Sequence, residues 1–491
     1  MRALTDATFI ERSFFGHPRA LATLFFTEMW ERFSFYGMRA ILVLFLTASA
    51  AKGGLGISVG AAAAVYGLYN ALVYVAALPG GWIADRLLGH RRAVLYGGVV
   101  IAIGHFAMAF HGLTFVYGGL LAIILGTGLL KPNMSSMVGA LYSADDPRRD
   151  SGFSIFYMGI NLGALLAPLV VGYLGQEIDW HLGFAAAGVG MAFGLIQYVA
   201  GTRRMGDIGR MPPSRATRQE VRRVVRGVLA GAAVGLALLA FDAFVTNISA
   251  SVVEKAIGVT ILAIPFLYFG RHFRSGALTA VERSRLRALV ILFAASVVFW
   301  LIYDQSGSIL SIFAQDKVRL EVLGIHFPAS FFQSVNPIFI LALAPLISLL
   351  WVRLGARQPS TPVKFSMGLL LVGVSFLVMM LAASAAGASG RVSPLWLVGV
   401  YFVQTIGELT LSPVGLSATT KLAPAAAVGT TMGVWFLSIS AGDVIGGYVG
   451  GLYEHLSLPL YFGALGALTI LAGVLMVIGS RHVVRLMAGL R

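Results

Sequence analysis

Long apolar segments separated by short polar connections extend along almost the whole chain. A helix that spans a membrane needs about 20 consecutive, mostly apolar residues, and windows of that length predict fourteen such helices. The predicted spans are residues 20–50, 58–85, 92–111, 115–140, 152–175, 181–202, 224–245, 254–271, 287–315, 329–352, 364–386, 395–421, 428–453 and 459–480. This pattern predicts an all-α integral membrane protein.

The connections between these spans fall into two sets that differ in their Lys and Arg content. The set that includes both termini has basic clusters at 86–92, 203–226 and 271–287. The basic residues of the alternating set are only Lys52, Lys255, Lys317, Arg319 and Arg391. Connections rich in Lys and Arg stay on the cytoplasmic side of a membrane, so we expect a multi-pass protein with both termini in the cytoplasm.

One long, basic connection divides the chain, between Thr202 and Arg226. Six predicted spans precede it and eight follow, and the first two that follow have few polar side chains. We expect an N-terminal six-helix bundle at 1–202, a basic linker with two extra transmembrane helices at 203–283, and a C-terminal six-helix bundle at 284–491. Two six-helix halves around a site near the middle of the membrane are the layout of alternating-access transporters.

Composition excludes several other classes of function. The chain has 58% hydrophobic and 12% charged residues, whereas a soluble domain carries about 25% charge. It has no cysteine, which rules out a disulfide framework, a thiolate nucleophile and a Cys-based metal site. The net charge of +15 is dispersed among the membrane connections, so no nucleic-acid partner is expected. The sequence contains no phosphate-binding Gly-x-x-x-x-Gly-Lys-Ser/Thr loop, so ATP-driven pumping by this chain is not supported.

The first predicted span carries charged and polar side chains on one face. At the helical period these residues fall within less than half the circumference; they are Glu28, Glu31, Arg32, Tyr36 and Arg39. An ionised side chain at the middle of a bilayer costs about 2.5–3.5 kcal/mol, so we expect these groups to pair in a polar interior. The alternative is an interfacial Arg/Glu pair that only joins two helices. These charges also argue against a removed signal peptide.

Several motifs carry a resemblance to known families. Residues 81–92 resemble the signature loop of the major facilitator superfamily, with one extra residue before the basic pair. Residues 28–37 resemble the Glu-x-x-Glu-Arg-Phe-x-x-Tyr-Gly motif of the proton-dependent oligopeptide transporter family. Residues 128–133, 153–163 and 407–417 resemble that family's signatures in spans four, five and ten. The order of the matches is kept, and the extra central helix pair is similar to bacterial members.

The resemblance implies a major facilitator fold of two six-helix bundles plus two extra helices. It also implies a symporter that imports di- and tripeptides with protons by alternating access, in the bacterial inner (cytoplasmic) membrane. We expect peptides, protons and the lipid bilayer as partners, a monomer, and no cofactor other than the coupling proton. In the signature loop, Asp85 and Arg86 are expected to act in gating.

Other functions stay open. Distant relatives carry other small organic anions or drug-like acids, and a peptide sensor that does not transport is also compatible with the sequence. An enzyme is a weak rival, because the only long polar connection, 202–226, has no nucleophile paired with a base. The nine histidines show no His-x-x-x-His pairing, and no metal site is expected.

A carrier of many peptides needs groups that bind the carboxylate and the ammonium that all peptides share. We expect Arg39 and Lys131 to bind the carboxylate and Glu408, which is isolated in an apolar span, to bind the ammonium. With the positions that the family resemblance adds, the expected peptide-binding residues are Tyr36, Arg39, Tyr74, Lys131, Asn161, Trp300, Asn336, Glu408, Ser412 and Trp435. For the aromatic residues, simple helix packing is an open alternative.

Proton coupling requires carboxyl groups whose protonation responds to burial and to a movable cation. The expected proton-coupling residues are Glu28, Glu31, Arg32 and Asp304. Lys131 is the expected cation opposite the two glutamates. Asp304 stands where most family members carry glutamate, and we expect it to pair with Arg39 in an extracellular gate. Gly67 stands where animal members carry a histidine, so protons should use carboxylates alone.

Overall fold

The computed structural model describes residues 14–143, 146, 148–212, 214–222, 226, 250–276, 278–387, 390–424 and 427–490. The α-helices in these ranges are α1 (Arg19–Thr47), α2 (Val59–Ile83), α3 (His90–Met108), α4 (Leu113–Gly139), α5 (Arg149–Tyr173), α6 (Trp180–Gly201), α7 (Ala250–Arg274), α8 (Ala280–Tyr303), α9 (Ile309–Lys317), α10 (Val335–Leu354), α11 (Thr361–Ala386), α12 (Leu395–Leu422), α13 (Val428–Gly450) and α14 (Leu458–Leu486). A short antiparallel hairpin, β1 (Glu321–Val322) and β2 (Ile325–His326), lies between α9 and α10.

Thirteen of the fourteen predicted spans correspond to these helices, and the predicted span 224–245 lies outside the described residues. Eleven helical segments of the described chain are long and apolar enough to cross a membrane. Helix α1 is not among them because it carries four charged residues between 28 and 39. The prediction of an all-α membrane protein is confirmed.

Local chemistry explains where several helices begin. The Thr279 hydroxyl accepts a hydrogen bond from the backbone N–H of Glu282, whose carboxylate accepts one from the N–H of Thr279. This capping box starts α8. At the start of α6, the Asp179 carboxylate accepts hydrogen bonds from the N–H groups of His181 and Leu182, at 2.9 and 3.1 Å. Both caps satisfy backbone donors that lack partners in the first helical turn.

The predicted span 287–315 lies within one apolar segment, Ala280–Lys317, that is long enough to cross a membrane, but this segment is not one continuous helix. Helix α8 ends at Tyr303, a single 3₁₀ turn covers Asp304–Gly307, and α9 begins at Ile309. A Cβ on Gly307 would overlap the hydroxyl of Tyr66, so this residue must be small. The carbonyl of Ser306 accepts hydrogen bonds from the side chains of Ser311, Gln333 and Tyr401. Side chains therefore replace the backbone partner that the break removes.

The helices pack as two sets. In the first, α1 lies against α5 and α6, while α3 lies against α4 and α6. In the second, α11 lies between α12 and α14, and α13 packs on α8. Helix α7 contacts α2 and α13, and its Phe266 and Leu267 are exposed, as expected for a peripheral helix facing lipid.

The two sets of helices meet at one end of the molecule. We call the end with the Arg-rich connections and the described termini the basic face, and the other end the opposite face. At the opposite face, the Glu454 carboxylate accepts hydrogen bonds from the backbone N–H groups of Val59 and Gly60, at 3.0 and 3.1 Å. There the side chain of Gln176 also donates to that of Gln315, at 2.9 Å. The molecule is therefore closed at its opposite face.

Candidate functional site

The charged residues of α1 form a buried cluster. Arg32 contacts both carboxylate oxygens of Glu31, with a distance of 2.8 Å between Nη2 and Oε1. Its Nε also lies 3.3 Å from Oε1 of Glu28. All three side chains are almost completely buried, so they are not an interfacial pair. One guanidinium thus faces two carboxylates, and Oε2 of Glu28 has no hydrogen-bond donor in the described structure.

Lys131 lies on α4 and faces the same interior from the other side. Its Nζ lies 3.9 Å from the centroid of the Tyr74 ring on α2, which is a cation–π contact. The ion pairs of Glu28 and Glu31 are with Arg32, and Lys131 forms none with them within the described residues. The ammonium is therefore not neutralised by a direct carboxylate contact and can bind an anionic group.

Arg39, on the same face of α1 and about two turns beyond Arg32, joins the two sets of helices. Its Nη2 lies 2.7 Å from Oδ1 of Asp304, in the break after α8. Its Nε donates a hydrogen bond to the hydroxyl of Tyr66 on α2. Its guanidinium carbon lies 6.0 Å from the centroid of the Tyr36 ring. The ion pair bridges residues that are 265 positions apart, so it ties one set of helices to the other beside the closed face.

Glu408 of α12 is held by neutral donors. The Tyr303 hydroxyl donates to its carboxylate at 2.5 Å, and the Asn336 side-chain amide donates at 3.3 Å. The same amide donates to Thr405 at 2.9 Å, which fixes its orientation. No described cation lies within ion-pair distance of Glu408. A positively charged group of a ligand would supply the missing partner.

A cavity of about 860 Å³ adjoins this carboxylate. Glu408 and Ser412 of α12 line it, together with Tyr157 of α5 and residues of α10 and α11. Lys364 and Lys421 also line it, toward the basic face. Cavities of about 300–1,000 Å³ are typical of small-molecule sites. The volume of this cavity lies within that range.

The remaining expected binding residues have mixed surroundings. Asn161 is buried and donates to the backbone carbonyl of Tyr157, at 3.0 Å. Trp300 packs against Phe299 and Tyr303. Trp435 is 5% exposed, and its ring lies among the rings of the C-terminal helices, at 6.1 Å from Phe365. For Trp435 the structure shows helix packing, and ligand contact stays a prediction.

Comparison with known proteins identifies the family. The family model described as the POT family matches residues 91–465. This chain belongs to the POT family. A di-/tripeptide transporter of Lactococcus lactis subsp. lactis is 43% identical to it over 493 residues, which cover 98% of this chain and 99% of that protein.

Solved structures of the POT family have the same fold. A crystal structure of a peptide transporter POT in complex with sulfate is 46% identical, with a TM-score of 0.94 and coverage of 98% of both chains. A POT family transporter in complex with a thioalcohol-conjugated peptide is 38% identical, with a TM-score of 0.91 and coverage of 96% of this chain and 98% of that chain. The expected resemblance and the expected major facilitator fold are confirmed.

The signature loop of this POT-family chain lies at the basic face and contacts the linker. Oδ1 of Asp85 lies 3.6 Å from Nε2 of His90. Arg86 lies 3.9 Å from the carboxylate of Glu220 in the linker. The backbone carbonyls of Asp85 and Arg86 also accept hydrogen bonds from the N–H groups of Ser214 and Ala216. A gating role for Asp85 and Arg86 stays a prediction.

Three residues of this site were not among the expected ones: Tyr66, Tyr303 and Asp443. The Tyr66 hydroxyl accepts a hydrogen bond from Arg39, and the Tyr303 hydroxyl donates one to Glu408, but tyrosines are common in such spans and carry no sequence signal. Asp443 is different. It is an ionisable residue within an apolar span, the same signal that selects Glu408, and it is 3% exposed.

Proposed function

We propose that this chain is a proton-coupled symporter that imports di- and tripeptides by alternating access. The observation that carries the proposal is the charge pattern in the interior. Arg39 and Lys131 supply positive charge from the N-terminal helices, and Glu408 supplies negative charge from the C-terminal helices beside a cavity. Relatives named as di-/tripeptide or peptide transporters support the same substrate class.

This charge pattern suits the two ends of a peptide. A peptide carboxylate pairs with a guanidinium by a two-pronged contact and with an ammonium as a point charge. A peptide ammonium can replace the missing cation at Glu408. The further contacts proposed are those of Tyr36, Tyr74, Asn161, Trp300, Asn336, Ser412 and Trp435. Because Arg39, Lys131 and Glu408 would bind only the terminal groups that all peptides share, the carrier accepts peptides with varied side chains.

Proton coupling is assigned to the carboxyl groups that face arginines. Two glutamates share Arg32, so a proton on one of them lowers the cost of burying the pair. The ion pair of Asp304 with Arg39 joins the two sets of helices, so the protonation state of Asp304 is coupled to their separation. At a membrane potential of about 150 mV, one co-transported proton supplies about 3.5 kcal/mol. This supports accumulation of about 100-fold or more.

The proposed architecture is an N-terminal bundle (1–202), a linker with two extra helices (203–283) and a C-terminal bundle (284–491). We place the basic face in the cytoplasm, because Lys- and Arg-rich connections are retained there. The opposite face is then extracellular, and the structure corresponds to an inward-facing carrier. We propose that it works as a monomer in the bacterial inner membrane, as a transporter and not an enzyme, with no cofactor and with the proton as its coupling ion. No group of three or more metal-binding side chains occurs within the described residues.

The test is uptake of labelled dialanine into proteoliposomes under an imposed pH gradient and membrane potential. Peptides of two and three residues should compete, whereas single amino acids and tetrapeptides should compete poorly. Binding of dialanine without uptake would indicate a sensor. Uptake of other organic anions without peptide competition would indicate a different carrier. Either outcome would reject the proposal.

A further inference from the structure

Asp443 of α13 lies beside Asp304 of the Arg39–Asp304 ion pair. The proposed function assigns it no part in binding or proton coupling. Its side chain is buried, and neither carboxylate oxygen meets a hydrogen-bond donor in the described structure. The Asp304 carboxyl lines the same small cavity as Asp443. Ionised carboxylates only accept hydrogen bonds. Asp304 and Asp443 can therefore form a hydrogen bond with each other only when one of them carries a proton.

Asp443 has no direct cation partner among the described residues when both carboxyls are ionised. The titratable and charged groups that face it are Asp304 after α8, Arg39 of α1, Tyr66 and Tyr74 of α2 and Lys131 of α4. The direct ion pair of this group is that between Arg39 and Asp304. A second, unpaired carboxylate buried here would cost several kcal/mol. A single proton shared between Asp304 and Asp443 removes that cost and supplies the missing hydrogen-bond donor.

The carboxyl pair is sealed by the contact between α2 and α13. The cavity beside it has only about 10 Å³ and is lined by Gly67, Gly442, Gly446 and their neighbours. This is about the volume of one water molecule. A Cβ on Gly67 would lie 3.1 Å from the Cα of Gly447, which shows how closely the two helices approach. Separation of α2 from α13 would expose both carboxyls to water at the opposite face.

We propose that Asp443 and Asp304 form a shared proton-binding pair, and that the opposite face closes only when this pair has taken one proton from the water at that face. The inference rests on the proposed function and adds Asp443 as a proton-binding residue. When the face opens, both carboxyls are hydrated and can ionise. When it closes, one proton stays on the pair and Arg39 balances the remaining negative charge.

The test measures closure directly rather than transport. Gly451→Cys places a unique thiol at the closed face, because the chain has no cysteine, and its Cβ would make only ordinary contact, 3.8 Å from Gly60. A membrane-impermeant maleimide then reports how open this face is. In the otherwise unchanged protein, we expect the labelling rate to fall as the pH falls, since protonation favours closure.

In the background of Gly451→Cys, Asp443→Asn should make closure of the opposite face independent of pH. The positive charge of Arg39 then balances the negative charge of Asp304 without a bound proton. Asp304→Asn should have the same effect, with Asp443 as the partner of Arg39. Asp443→Glu keeps a titratable group and should keep the dependence, with a shifted midpoint. If Asp443→Asn does not insert, Asp443→Glu decides the question.

The proposal is overturned if Asp443→Asn gives the same pH dependence of the labelling rate as Gly451→Cys alone. If Asp443→Asn does not insert, the same outcome for Asp443→Glu overturns it. A flat profile for Gly451→Cys alone would overturn it as well. Because labelling needs no peptide, these outcomes are distinguishable from failure of the proposed function, which appears as absent dialanine uptake.

Discussion

At the scale of single residues, Lys131 is the cation that combines the two proposed tasks. It lies on α4, and its ammonium lies 3.9 Å from the centroid of the Tyr74 ring. Lys131→Ala should reduce proton-driven peptide uptake by about 10- to 100-fold, the equivalent of about 1.5–3 kcal/mol for a hydrogen bond to a charged group. The measurement is uptake of labelled dialanine by proteoliposomes with equal amounts of inserted protein.

Lys131→Arg should also be impaired, because a planar guanidinium does not replace a compact ammonium. The matched control is Lys52→Ala, which removes the same charge from an exposed position at the opposite face. It should transport like the unchanged protein. Full uptake by well-folded Lys131→Ala would show that the lysine is not needed for coupling or binding.

Glu408 is the residue that should distinguish peptide amino termini. Glu408→Gln keeps an acceptor for Tyr303 but removes the charge that a peptide ammonium would meet. We expect it to weaken binding of dialanine by about 10- to 100-fold, and binding of N-acetyl-dialanine much less. Isothermal titration of the purified protein measures both ligands. Glu321→Gln, at an exposed strand position, is the control and should change neither, whereas equal losses for both ligands would remove Glu408 from this role.

Some of these functional residues can be predicted from the sequence more readily than others, for a physical reason. Glu28, Arg32 and Glu408 stand out because a charge within an apolar membrane span is energetically costly. Such charges are therefore rare and usually mark functional sites. Asp443 carries the same signal, yet its importance depends on Asp304, which lies more than one hundred positions away in the chain. Tyr66 acts only through Arg39. Such roles depend on tertiary contacts that no local pattern encodes.

At the scale of helices, hydrophobic length predicted most spans, because each must cover the apolar thickness of a bilayer. The break after α8 was missed because the apolar pattern continues across it. The break depends on the contact of Gly307 with α1 and α2 and on side chains that satisfy the Ser306 carbonyl. The hairpin of β1 and β2 was missed as well; its turn uses Leu323 and Gly324, both with positive φ.

The contact of α2 with α13 supplies a prediction at this scale. A Cβ on Gly67 would lie 3.1–3.2 Å from backbone atoms of Gly447 and would overlap the carbonyl of Asp443. Gly67→Ala should therefore destabilise the closed opposite face by about 1–3 kcal/mol and raise the labelling rate of Gly451→Cys. Uptake should fall in parallel.

The control for Gly67→Ala is Gly118→Ala in α4, since a Cβ at Gly118 would meet no atom within 4 Å. It should leave labelling and uptake unchanged and can only strengthen its helix slightly. If Gly67→Ala labels at the same rate as the unchanged background, the close approach of the two helices is not needed for closure.

At the scale of the whole molecule, the long basic connection suggests two six-helix halves, but nothing local in the sequence says which end they close. Closure at the opposite face uses pairs that are far apart in the chain, such as Glu454 with Val59, 395 positions away. It also uses Gln176 and Gln315. These are surface-type polar residues whose pairing depends on how the halves dock, so the conformation could not be predicted.

The absence of cysteine allows a direct test of this docking. A Cβ on Gly60 would lie 3.0 Å from the Cα of Gly451, and a Cβ on Gly451 would lie 3.8 Å from the Cα of Gly60, so the two backbones approach closely enough for an engineered disulfide. The double variant Gly60→Cys with Gly451→Cys should crosslink under mild oxidation and lock the opposite face. Uptake of dialanine should then fall about 10-fold or more and return when a reductant is added, because alternating access needs this face to open. Each single variant should be insensitive to both treatments. Normal uptake by the fully oxidised double variant would contradict movement at this contact and, with it, the alternating-access mechanism proposed for the two halves.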